Sequence, residues 1–218
     1  MSMTTNFYNL AFEDHTLSPL IRDFSDPHAI RFANWISEKV GNDNSWTEER
    51  QTRDMKEVRL AGGRTHVVHD RSSAHAAAWY SPKREKEKVG QHFKLDDCRV
   101  WMRLHFWALK KAGINEVSPS FAEFYVRFIA HFVKVYEAKA PPFAREAYRW
   151  SDSKINTDRY MESRKMDDVI GKNFGQSLQQ LPECERQDLE WPYYLDKEGM
   201  IDNHDDGGGM YGVTLPIE

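Results

Sequence analysis

Cysteine is almost missing from this chain: Cys98 and Cys184 are the only two among 218 residues. Two thiols without CxxC spacing build no disulfide framework, so a reducing compartment is the simpler setting. Long apolar runs are missing too. No stretch approaches the roughly 18 residues that a membrane-spanning helix needs. The opening "MSMTTNFYNLAFEDH" has neither the basic nor the apolar region of a secretory leader. A cytoplasmic protein, with no membrane span, is the expectation. Nor does charge of one sign dominate. The formal net charge is -4, and the basic runs "SPKREKEK" and "ESRKMDD" carry acids of their own. Nothing here favours nucleic acid or an anionic membrane surface as a partner.

Several catalytic signatures are also absent. There is no G-x-S-x-G elbow, and "GKNFGQS" has the glycines and lysine of a phosphate loop in the wrong order. "DKEGMIDNHDDGG" fails the spacing of a calcium loop. His66, His69 and His75 cluster in "HVVHDRSSAH", but the β-branched "THVV" is a poor helix for an HxxH zinc pair, and HExxH does not occur.

What the chain does have is aromatic, helix-forming sequence. Apolar residues are 40% and aromatic residues 13% of the total, enough to build a core. "NFYNLAFED" puts Phe7, Tyr8, Ala11 and Phe12 on one helical face. "TLSPLIRDF" predicts a short turn around Pro19. Asp26 and Pro27 open a helix through "HAIRFANWISEKV", and Gly41 is placed to end it in the left-handed conformation. On that helix His28, Phe32 and Ile36 fall in line. Residues 42–71 lose all pattern and predict a long surface excursion. "SSAHAAAWY" is a short helix with Ser72 or Ser73 as its cap. "DDCRVWMRLHFWALKKAG" (96–113) matches the helix dipole at both ends, with Val100, Trp101, Leu104, Ala108 and Leu109 on one face. "SPSFAEFYVRFIAHFVKVYEA" (118–138) carries the broadest apolar stripe. A further short helix is expected around 156–170, and the end of the chain reads as an irregular tail. No segment alternates convincingly with period two, so the fold class expected is all-α.

The order of these elements resembles the truncated, 2-on-2 haemoglobins, groups II and III in particular. The likeness runs over residues 5–138 and rests on "FYNLAFEDHTLSPLIRDFSDPHAIRFANWISEKVG", on "RSSAH" (71–75), on "CRVWMRLHFWA" and on the final aromatic helix. It implies a globin-like domain over 1–140, with long loops inserted at 42–71 and 81–95. Residues 141–218, a partly irregular C-terminal extension, have no counterpart in the family.

The resemblance also implies roles. His75 corresponds to the proximal histidine, the iron ligand of haem b. His92, which also precedes the Trp101 helix, is the rival for that place. Tyr8 and Trp101 correspond to distal donors. His28 corresponds to the distal-helix position nearest the gas, and Phe32 to the next pocket-facing position. An N–H or O–H donor favours bound oxygen, which takes on negative charge. Such a bond contributes about 1.5–3 kcal/mol, which separates oxygen from carbon monoxide. The function implied is binding, sensing or detoxification of a diatomic gas, oxygen or nitric oxide, with nitric-oxide dioxygenation the one enzymatic form. The alternative is a haem-free globin-like scaffold, a protein-interaction or structural subunit whose insertions and extension meet a protein partner.

Overall fold

The computed structural model describes residues 2–41, 43–52, 55–59, 65–69, 74–134, 137 and 139–187. Eleven helices lie among them: α1 (Ser2–Glu13), α2 (His28–Gly41), α3 (Ser45–Gln51), α4 (Ala74–Trp79), α5 (Leu95–Lys111), α6 (Ile114–Val117), α7 (Pro119–Lys134), α8 (Ala140–Asp152), α9 (Lys154–Ser163), α10 (Phe174–Leu178) and α11 (Glu183–Arg186). The class is helical, as expected. No helix among the described residues is long and apolar enough to cross a membrane.

One local feature departs from the expectation. Met55–Arg59 and Thr65–His69 pair as antiparallel strands β1 and β2, with Val58 opposite His66 and Glu57 opposite Val67. The β-branched Thr65, Val67 and Val68 favour the pleated backbone over a helix. Period-two alternation is weak in both strands, so patterning misses them. Ser72 and Ser73, the expected caps of α4, and the C-terminal tail lie outside the described residues.

The described residues divide into two compact units, one containing Ser18–Phe93 and the other joining Ser2–Leu17 to residues 94–187. In the first unit α2 packs on α3. Trp35 and Ile36 are the buried residues of α2, while His28 and Phe32 are half-buried. Gly41 is the last residue of α2 and does not take the left-handed conformation expected of it.

In the second unit α5 is the central element, flanked by α1, α7 and α8. It buries far more than one face: Val100, Met102, Leu104, Phe106 and Ala108 are all fully enclosed. Arg99, Arg103 and His105 are enclosed with them. The charges survive burial because each has a partner. Arg103 pairs with the buried Glu146 of α8 and, at 2.6 Å, with Asp168. Arg99 donates to the backbone carbonyls of Lys172 (2.9 Å) and Asn173 (3.3 Å). Those bonds tie the segment before α10 to α5. Asn173 and Gln176 then cap α10 reciprocally.

α8, which opens the stretch expected as an extension, is part of this core. Ala140, Phe143, Ala144 and Ala147 are essentially without exposure, and the helix packs on α5, α7 and α10. α9 ends at Arg164, which takes the left-handed conformation at φ 55°.

Candidate functional site

In the first unit the chain builds an aromatic group around Trp79. This residue is the last of α4 and is buried. The loop after it folds back and is pinned to it. Arg84 donates to the carbonyls of Trp79 (3.0 Å) and Gln91 (2.7 Å), and the Gly90 N–H donates to Trp79 at 2.8 Å. Gly90 has φ 84°, and a Cβ there would meet the Tyr80 ring at 3.0 Å. Only glycine suits that turn.

The result is that both rival histidines reach one group. His92 stacks face to face on Trp79, with centroids 4.0 Å apart and planes within 9°. His75 meets Phe93 edge-on at 5.4 Å, and Phe93 meets Trp79 at 5.8 Å. Burial pushes the His75 imidazole down to about 4, so it is neutral at pH 7. A neutral ring nitrogen is the form that binds a metal.

His28 stands at the start of α2. Its Nε2 lies 2.7 Å from the Asp23 carbonyl oxygen, which can only accept, so Nε2 carries the proton. Burial lowers the His28 pKa, more than the Asp23 carbonyl and the nearby carboxylate of Asp26 raise it. The neutral ring has one N–H, and it is given to Asp23. One turn on, Phe32 stacks on Trp35 at 5.7 Å.

Tyr8 and Trp101 belong to the second unit, where they gather around a pair that sequence reading did not single out. Phe7 meets Tyr8 at 5.0 Å, Trp101 at 5.7 Å and His105 at 5.2 Å. Trp101 stacks on His105 at 4.7 Å. His105 Nε2 and the Tyr125 hydroxyl share a 2.7 Å hydrogen bond, and neither residue has any exposure. Burial drives His105 down to about 3 and raises Tyr125 well above the ordinary phenol value. Both are therefore neutral. The signal available in sequence was slight: His105 lies one helical turn beyond Trp101 in "WMRLHFW".

Of the sequence-predicted residues, the structure thus groups Tyr8 with Trp101 in one unit and places His28, Phe32 and His75 in the other. His66 and His69 lie on β2, which removes the helical HxxH geometry. No cluster of three or more metal-ligating side chains occurs among the described residues.

Comparison of the chain with protein-family models, with curated proteins and with solved structures finds no match.

Proposed function

We propose that this chain is a globin-like protein of the 2-on-2 type that holds haem b and binds a diatomic gas, oxygen or nitric oxide. One observation carries the reading: His75 is kept neutral in an aromatic setting formed by Phe93 and, next to it, Trp79. A neutral imidazole is the donor that would hold haem iron, and Phe93 and Trp79 would supply apolar surroundings for it. Haem supplies an iron centre at which a diatomic gas can bind.

The chain's residues supply the rest. His75 presents its ring nitrogen, and Phe32 contributes apolar wall. Tyr8 and Trp101 are donors to the gas by the resemblance alone. His28 has its single N–H committed to Asp23, so its role is to hold the start of α2 in place.

The alternative is a haem-free scaffold serving as a protein-interaction or structural subunit. It is favoured by one fact, the face-to-face stacking of the exposed His92 on Trp79, which covers that indole with a ring of the chain itself. Haemin titration followed by visible spectra of the reduced protein with carbon monoxide separates the two. A Soret band lost in His75→Ala and kept in His92→Ala supports the haem reading. No haem uptake by the wild-type chain overturns the haem reading.

A further inference from the structure

A groove of about 870 Å³ lies between α7 and α8 in the second unit, with α11 at its side. Its floor includes the small apolar residues Ala122 and Val126, and its α8 wall presents Arg145 and Arg149. These two arginines are one helical turn apart, so both guanidinium groups reach the same side.

They grip a single residue of the chain's own C-terminal segment. Arg145 donates to the backbone carbonyl of Glu185, and Arg149 donates to its carboxylate. Arg145 is nine-tenths buried, at 9% exposure, which makes it part of a built site and not a surface charge. A grip on carbonyl and carboxylate together reads an acidic residue within a polypeptide. A free anion offers no such pair.

The occupant is held lightly. α11 has only four residues, and the Arg149–Glu185 pair is half open to water, with the arginine 50% exposed. An ion pair so exposed contributes little. Arg127 and Glu123 pair on its α7 side, and Asp152 of α8, held by Lys110, also lines it.

We propose that the α7–α8 groove is a docking site for an acidic peptide segment of a partner protein, and that α11 occupies its arginine clamp until such a segment displaces it. The proposal stands apart from haem binding and holds whether or not His75 binds iron.

The test uses the full chain and a fluorescent synthetic peptide with the sequence of residues 180–187, its cysteine replaced by serine. Binding is read by anisotropy. In the wild-type chain the tethered α11 competes at high effective concentration and keeps affinity low. Glu185→Ala weakens that competitor, so the peptide is expected to bind about two- to fivefold tighter. Adding Arg149→Met to Glu185→Ala is expected to reverse that gain. Both positions are partly exposed, and unchanged thermal melting confirms that the variants fold. A peptide in which glutamine replaces its second glutamate is expected to bind about two- to fivefold more weakly.

Equal affinity for the wild type and Glu185→Ala would overturn the proposal, as would binding indifferent to Arg149→Met or no binding to any form. Displacement of the peptide by inorganic phosphate or succinate at equal concentration would also overturn it, by making the clamp a small-anion site.

Discussion

The Tyr125 hydroxyl and the His105 ring lie 2.7 Å apart with no solvent exposure on either residue. The pair joins α7 to α5, and each group satisfies a polar atom that the other would leave stranded. Removing one partner leaves a buried polar atom, at a cost of about 1–3 kcal/mol. Tyr125→Phe is expected to lower stability by that amount in urea denaturation, with an unchanged slope. A loss below about 0.5 kcal/mol would mean that the bond contributes little net stability.

The same burial sets a pH dependence. His105 is held at about 3 in the fold, against about 6.5 in the unfolded chain. Its folded pKa is depressed, so the unfolded state binds the extra proton as pH falls. The stability is fully present above about pH 6.5 and is lost progressively down to about pH 3. One such group contributes a slope of up to about 1.4 kcal/mol per pH unit in that window. Denaturation midpoints of His105→Gln between pH 7 and pH 4.5 should fall less steeply than those of the wild type. Parallel profiles would remove His105 as the origin.

Arg103 and Glu146 form an enclosed ion pair between α5 and α8. Truncating Glu146 leaves the enclosed Arg103 with only the half-exposed Asp168, at up to about 3–5 kcal/mol. Glu146→Ala is therefore expected to be among the most damaging single changes in the second unit. The double change Arg103→Met with Glu146→Leu should recover most of that loss. Guanidinium unfolding of the three variants measures both effects, and a double variant no better than Glu146→Ala contradicts the account.

Gly90 lies at φ 84°, and the Tyr80 ring is 3.0 Å from where a Cβ would be. Gly90→Ala is expected to destabilise the loop by about 1–3 kcal/mol. Because this turn carries His92 onto Trp79, hydrogen exchange should rise across 80–93. Unchanged exchange there would show that the loop is held by Arg84 alone.

The proposed gas binding offers the last check. If Tyr8 and Trp101 are the donors that the resemblance implies, Tyr8→Phe or Trp101→Phe in haem-loaded protein should raise the oxygen dissociation rate roughly tenfold, the effect of one hydrogen bond to a charged acceptor. His28→Leu should leave it nearly unchanged, since the N–H of His28 is already given to Asp23. Stopped-flow dissociation rates decide, and a large effect of His28→Leu alone would reverse the assignment.

Much of the helical framework was legible in the residues. α5 and α7 begin and end within a few residues of where acidic starts, basic ends and apolar period place them. The hairpin was not, because β1 and β2 have weak alternation and their pairing is a contact between strands. The burial of more than one face of α5 was also hidden. Arg99, Arg103 and His105 are polar, and the partners brought by α7, α8, Lys172 and Asp168 make their burial tolerable.

The amino-acid sequence by itself determined the class of the fold, because helix period, caps and dipole charges act within one element. It also brought His75 and His92 forward as rivals. The tertiary structure alone decided that both reach the Trp79–Phe93 group, that His28 spends its proton on Asp23, and that Arg145 and Arg149 close on Glu185. Each of these depends on residues meeting across loops or between helices, and neither periodicity nor composition encodes a distance.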